Sequence, residues 1–211
     1  MKPTFSGGEM GDSLEGYAAA ANAELIARFD ALSPAEIYAP VSELLPKRPV
    51  RVADIGAGTG RDAAWFARRG HTVLAVEPVD EFRKAGAALH GSPNIEWLDD
   101  SLPALARVQA WGQFDLVTLC AVWHHLADGD RAVAIRNLAR VTTTGGRLIL
   151  SLRHGPGVVG RGVFPVVAEQ TIEWARQAGF RLTRRCEAGS VQPGNRATGV
   201  RWTWLALDKA E

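Results

Sequence analysis

Short runs of alternating apolar residues punctuate this chain, and the stretches between them carry apolar residues at helical spacing. VRVADI (50–55) and TVLAVEP (72–78) are β-branched and apolar. Between them, RDAAWFARRGH sets Ala63, Ala64, Phe66 and Ala67 where one helical face can pack on a sheet, and Gly70 is placed to stop the helix. NIEWL (94–98), FDLVTLCAV (114–122), GGRLILSL (145–152), FRLTRRCE (180–187) and VRWTWLALD (200–208) predict further strands. Helical patterns fill 79–89, 101–109, 129–140 and 168–178.

Strand and helix in alternation imply βαβ units, hence a parallel sheet buried by helices on its two faces. The last two strands depart from this. Between them lies EAGSVQPGNRATG, polar, glycine-rich and without a helical pattern. A loop connection of this kind favours antiparallel neighbours. The predicted fold class is therefore α/β: a doubly wound, seven-stranded, mostly parallel sheet ending in a C-terminal antiparallel hairpin.

Ahead of the sheet, residues 1–11 are glycine-rich and expected to be mobile. DSLEGYAAAANAELIARFDAL predicts one helix from Asp12, with Asp12 or Ser13 as its cap. Ser33 then caps a second helical stretch with Pro34 at its first position, and Pro40 interrupts it before a turn ending at Pro46. Residues 1–46 thus read as an N-terminal helical cap on a single domain spanning 47–211.

Composition narrows the classes. A chain of 211 residues that is 46% hydrophobic can bury one substantial core. A net charge of +1 gives no pull toward nucleic acid or an anionic membrane. Arg181, Arg184, Arg185, Arg196 and Arg201 gather near the C-terminal end opposite Glu187, which a solvated surface explains as well as a binding patch. Cys120 and Cys186 lie far apart in strand-like segments without a CxxC or Cys/His pattern, so free buried thiols are expected rather than a metal site or disulfide. MKPTFSGGEMGD lacks the apolar stretch of a signal peptide, and no run approaches the ~20 apolar residues of a membrane span. The expected location is cytoplasmic.

VADIGAGTGR (52–61) carries the chemistry. Gly56, Gly58 and Gly60 are separated only by Ala57 and Thr59, with Arg61 opening the next helix. Glycine is favoured where φ must be positive or where something must approach the backbone closely. A loop stripped of side chains between a strand end and a helix N-terminus suits a ligand lying against amide groups, at the edge where doubly wound sheets bind ligands. The dinucleotide fingerprint GxGxxG would place its third glycine one residue later. Asp54, just upstream, would receive a cation such as an ammonium more readily than a pyrophosphate.

DIGAGTGR resembles the first motif of class I S-adenosylmethionine-dependent methyltransferases, an acidic residue followed by GxGxG. VLAVEP, IEWLDDSLP, FDLVTLCAVWHHL and TTTGGRLILSLRHG resemble the family's later motifs in register, so the likeness covers roughly 50–208. It implies S-adenosyl-L-methionine as cofactor and S-adenosyl-L-homocysteine as product. It implies that Glu77, followed by Pro78, binds both ribose hydroxyls. Asp99 would accept from the adenine amino group, with Asp100 competing for that role and Ser101 beside it or capping the next helix. Cys120 and Ala121 would meet the methionine part through backbone carbonyls.

Methyl transfer is an in-line displacement that needs alignment, exclusion of water and, for weak nucleophiles, a base, but no metal. The loops after strands four and five offer Trp123, His124, His125, Arg153 and His154. The imidazoles are candidate bases, Arg153 suits an anionic acceptor, and Trp123 suits a cation–π contact or a cover. Each has a plainer reading as a packed or paired residue. CAVWHH lacks the Asn/Asp-Pro-Pro-aromatic motif of the family's amide- and DNA-amino-modifying enzymes, and a small-molecule acceptor follows. A non-catalytic module that holds the cofactor, and a nicotinamide-dependent oxidoreductase, remain as alternatives.

Overall fold

Alternation along the central strands divides the apolar residues between two cores. Ala53, Ile55, Leu74, Val76, Val117, Leu119, Leu148 and Leu150 face one way. Val52, Val73, Ala75, Leu116 and Ile149 face the other. In the computed structural model of the chain, described for residues 8–157 and 162–210 and for side chains from residue 14, this pattern makes one sheet. Its strands are β1 (Arg51–Ile55), β2 (Thr72–Val76), β3 (Ile95–Leu98), β4 (Phe114–Leu119), β5 (Thr142–His154), β6 (Phe180–Gly189) and β7 (Arg201–Lys209). Their order is β3-β2-β1-β4-β5-β7-β6. Strands β1 to β5 pair in parallel, and β7 inserts antiparallel between β5 and β6. The doubly wound sheet with its antiparallel C-terminal hairpin is as the alternation predicts.

Helices α1 (Gly8–Ala20), α2 (Ala23–Asp30), α3 (Pro34–Ile37), α4 (Arg61–Ala67), α5 (Asp80–Leu89), α6 (Asp128–Val141), α7 (Ala168–Gln177) and α8 (Pro193–Ala197) complete the chain. Helix α4 packs Ala63, Ala64 and Phe66 into one core, and α6 and α7 add Ile135, Leu138 and Ala175 to the other.

Five local expectations are corrected. The single helix expected from Asp12 is two, because the Asn22 side chain accepts the Leu25 amide at 2.9 Å and starts α2 afresh. The chain is helical from Gly8, and residues 1–7 of the glycine-rich lead lie outside the described residues. The helix expected at 101–109 reduces to a 3-10 turn at Val108–Trp111, since the Asp100 carboxylate gathers the amides of Ser101, Arg107 and Val108 and bends the chain instead. Pro193 at a helix start gives α8 inside the loop expected to have none. Cys120 falls just past β4, and it and Cys186 are free but only partly buried.

The first two helices are tied to the glycine loop. Asp30 at the end of α2 accepts from Thr59 Oγ1 at 3.3 Å and pairs with His90 Nε2 at 2.7 Å. Arg61 donates to the Phe29 carbonyl at 3.1 Å. Ser33 caps α3 with Pro34 at its first turn, as its sequence requires.

Candidate functional site

Strand β1 ends at Ile55, and the chain turns sharply across the tip of β2. The amides of Gly56 and Ala57 share the Val76 carbonyl at 2.8 and 3.0 Å. All three glycines have positive φ, at 74°, 56° and 77°. Their surroundings differ. A Cβ on Gly56 would stand 2.5 Å from Val122, and one on Gly60 2.6 Å from the Trp97 ring, whereas one on Gly58 would meet nothing within 4 Å. Packing demands the outer two glycines; only Gly58 opens onto free space.

That space is a groove along the carboxyl edge of the sheet. The glycine loop and Glu77 form its floor, and Val79, Phe82 and Leu102 form an apolar wall. Leu14 and Tyr17 of α1, with Phe29 and Leu32, close over it from the N-terminal segment. Asp100, Ser101, Cys120, Ala121 and His125 complete the lining that concerns the chemistry. Tyr17 and Phe29 brace Phe82 at ring distances of 6.2 and 6.0 Å. In the sequence, only their position after Glu77 or before the first strand marks these apolar residues.

Glu77 is buried, and burial pushes its carboxyl up to about 6 against the opposing pull of its two amide bonds. Its oxygens accept the Gly58 and Val79 amides, each at 2.8 Å. A carboxylate has about four acceptor sites, so two remain.

Asp54 is 2% exposed and lies beneath the groove rather than on it. One oxygen accepts from Thr118 Oγ1 at 2.9 Å, and the other, Oδ2, is buried with no hydrogen-bond partner among the described residues. Burial, then the nearby Asp62 charge, push its carboxyl up to about 7. Arg61 spends its charge on Asp62, with Nε–Oδ1 at 2.7 Å and Nη2–Oδ2 at 3.0 Å. An arriving cation would therefore meet a carboxylate cluster with one acceptor to spare.

The other anticipated residues separate. Asp99, the first choice for the adenine contact, turns outward toward Arg83 and Arg107 at 3.7 Å, with its side chain 55% exposed; Asp100 lines the groove instead. The reason is the end of β3: the residue after buried Leu98 continues onto the solvent side.

The five residues expected near the reacting methyl divide: the His124 and His125 rings lie 4.1 Å apart and the Arg153 charge acts on His124, while Trp123 and His154 stand elsewhere. Trp123 is fully buried in the α6–α7 core, donating to Thr171 Oγ1 at 3.1 Å. His154 sits on the sheet against Thr203 Oγ1 at 2.7 Å. His124 is buried, with Nδ1 unpartnered and its basicity well below ordinary because burial and then His125 oppose the charge. Arg153 is 8% exposed and reaches the Gly155 carbonyl at 3.4 Å. His125 alone lines the groove. Alternation along β5 sends His154 away from Arg153, and the 3-10 turn at Trp123–His125 puts Trp123 in the core while the two imidazoles stay side by side.

Residues 53–150 match the family model of the methyltransferase domain. Over that stretch the chain is similar to a methyltransferase domain. An uncharacterized methyltransferase of Mycobacterium tuberculosis is 37% identical over 112 residues, covering 50% of this chain and 40% of that protein. The ubiquinone biosynthesis O-methyltransferase of Paracidovorax citrulli is 32% identical over 115 residues, 53% of this chain and 47% of that one. The chain thus spans less than half the length of these relatives. The Burkholderia thailandensis 1,6-didemethyltoxoflavin-N1-methyltransferase, solved with bound 1,6-didemethyltoxoflavin and S-adenosylhomocysteine, superimposes with a TM-score of 0.73 at 18% identity, over 100% of this chain and 93% of that one. At that identity the likeness establishes the fold of the methyltransferase domain, including its antiparallel edge.

Proposed function

We propose that this chain transfers a methyl group from S-adenosyl-L-methionine to a small-molecule acceptor. The observation that carries the reading is Glu77: a buried carboxylate at the tip of β2, held by the Gly58 amide and retaining free acceptor sites beside the one glycine open to the groove. A vicinal diol offers two O–H donors, and charge-assisted bonds to it fix orientation. Asp54, with its orphaned Oδ2, supplies charge for an ammonium at the loop, and Asp100 with Ser101 lies at the rim where an adenine would end.

When bound, S-adenosylmethionine supplies its methyl carbon to an acceptor lone pair while the carbon–sulfur bonding electrons stay on sulfur. The protein's part is placement and proton removal. The described part of the N-terminal segment acts as a cap, with Tyr17, Phe29 and Leu32 excluding water from the groove. His125 serves as the base for an acceptor that must lose a proton, and His124, Arg153 and His154 support its surroundings rather than touch the reactants. Support for a small acceptor comes from the absence of the amide- and DNA-amino motif and from the small substrate of the Burkholderia protein. Neither a membrane nor a nucleic acid is part of this reading; among the described residues, no helix is long and apolar enough to cross a membrane.

Calorimetric titration with S-adenosylhomocysteine and with NAD tests the cofactor. Labelled donor with a metabolite panel tests transfer. Binding of NAD alone would replace the reading with an oxidoreductase, and cofactor binding without transfer to any acceptor would leave a binding module.

A further inference from the structure

A second cleft opens on the other side of Cys120 and Ala121. It shares Leu32, Arg61, Gln192 and that dipeptide with the first groove, so the two adjoin. Ala121 sits at the junction with a φ of 60°, uncommon for a residue with a side chain, and its amide donates to Ser151 Oγ at 2.8 Å. Ser151 pairs across the sheet with Trp204, and Arg153 with Trp202. Two residues apart on β7, the two indoles share one face and wall the cleft.

The wall is rigid. Trp204 packs on fully buried Tyr38 with ring centroids 5.3 Å apart, and Tyr38 is itself stacked on Trp65 at 5.6 Å. Trp202 meets the His124 ring edge-on at 5.8 Å. Beside the indoles, the lining drops to Ala188, Gly189 and Ser151, leaving a slot against the aromatic faces.

Among the described residues that line it, the slot has no free cation to give an anion. Arg61 is committed to Asp62 and the Phe29 carbonyl. Burial, then the Asp62 charge, hold the Cys120 thiol protonated, far above its usual range. Glu36 is exposed. An anion entering here would lose water, gain no partner and face the Glu36 carboxylate, and desolvated unpaired charge is strongly disfavoured. Gln192, whose side-chain amide has no partner among the described residues, stands at the junction with a donor and an acceptor to offer.

From these features we infer that the second cleft is the acceptor site and takes a flat, uncharged aromatic ring system bearing a carbonyl or ring nitrogen. The inference rests on the proposed methyl transfer for its purpose, but binding in the cleft can be read independently. Aromatic faces held in place by packing favour offset or edge contacts with a planar ligand and lose little freedom on binding it. Gln192 then orients the ring by its polar edge toward the junction.

The test is calorimetric titration of the full chain with 2-quinolone and with anionic quinoline-2-carboxylate, each with and without saturating S-adenosylhomocysteine. The neutral bicycle should bind and the anion should bind about tenfold more weakly or worse. Ala188→Leu, which fills the slot from the edge strand, should weaken 2-quinolone about tenfold while leaving adenosylhomocysteine affinity within about twofold. Trp202→Leu should do the same, so the result does not depend on one variant folding. Failure of 2-quinolone to bind, equal binding of the anion, or indifference to these substitutions overturns the inference. Failure of adenosylhomocysteine to bind overturns the proposed function instead, and the ring titrations without it still decide the cleft.

Discussion

The carboxylate of Glu77 accepts the amide of Gly58 at 2.8 Å, joining the end of β2 to the middle of the glycine loop. One side chain thereby sets the loop's shape and presents an anion to whatever lies on it. Glu77→Ala removes the tie and the anion together. Adenosylmethionine affinity should fall by ~1.5–3 kcal/mol, the scale of hydrogen bonds to a charged group. Calorimetry on a variant whose circular dichroism matches the parent measures it, and an unchanged dissociation constant would remove Glu77 from the site.

The three glycines should respond differently. Gly58→Ala meets no neighbour, so its structural cost is the positive φ alone, roughly 1–2 kcal/mol. The protein should fold and lose cofactor affinity, because the new methyl occupies the groove. Gly56→Ala and Gly60→Ala push against Val122 and Trp97 and should lower the melting temperature further. Comparing melting with affinity across the series separates the roles. Retained affinity in Gly58→Ala would mean the backbone does not lie against the ligand.

The sheet and the cofactor edge were legible because they rest on local rules. Period-two alternation marked the central strands, and the glycine spacing with Glu77 lay within a stretch of contiguous sequence. What escaped reading depends on contacts distant in sequence. Asp99 and Asp100 are neighbours in a motif that fits either, and only Arg83 and Arg107 draw Asp99 outward. Trp123 and His125 lie two residues apart in a tight turn, so no periodicity tells which faces the groove. Gln192 reaches the junction from the β6–β7 connection, and Trp202 and Trp204 read simply as strand residues until β7 is placed beside β5.

Trp123 gives a direct contrast between packing and chemistry. It is fully buried, with its indole N–H on Thr171. Trp123→Ala should cost about 3–5 kcal/mol of stability through the cavity and the lost bond. Denaturant unfolding measures this. Loss of transfer with unchanged stability would put Trp123 at the reacting centre after all.

Acidity should govern cofactor binding. Burial raises Asp54 to about 7 and Glu77 to about 6, above ordinary carboxyl values, so each holds its proton longer in the folded protein than in the unfolded chain. Folding therefore takes up protons between the ordinary carboxyl range and pH ~7, and the ligand-free protein loses stability as pH rises through that window. A ligand bringing an ammonium and a diol favours the ionised forms, so binding releases protons and weakens as pH falls below about 7. Calorimetry in buffers of different ionisation enthalpy counts the protons. Asp54→Asn should flatten the stability profile, and uptake rather than release of protons on binding would contradict the assignment.

The strongest test of chemistry lies at His125. Its Nδ1 is 2.6 Å from the Gly162 carbonyl, which can only accept, so the partners assign the proton to Nδ1. Nε2 then presents a lone pair to the groove, and Tyr17 O–H donates to it at 3.0 Å. An imidazole with its tautomer fixed by a backbone carbonyl is ready to accept a proton from an acceptor whose reacting group reaches past the Cys120–Ala121 junction into the groove and displaces Tyr17. The Tyr17 ring, edge-on at 5.2 Å, holds the imidazole plane meanwhile. His125→Ala should lower turnover about 100-fold or more on acceptors that must lose a proton, the low end of general-base effects. Adenosylhomocysteine affinity should change little, since the cofactor contacts lie on other strands. Tyr17→Phe keeps the ring and removes only the hydroxyl, so its turnover should stay far closer to the parent's. Full turnover in folded His125→Ala on such an acceptor would take the histidine out of the reaction and leave it a wall of the groove.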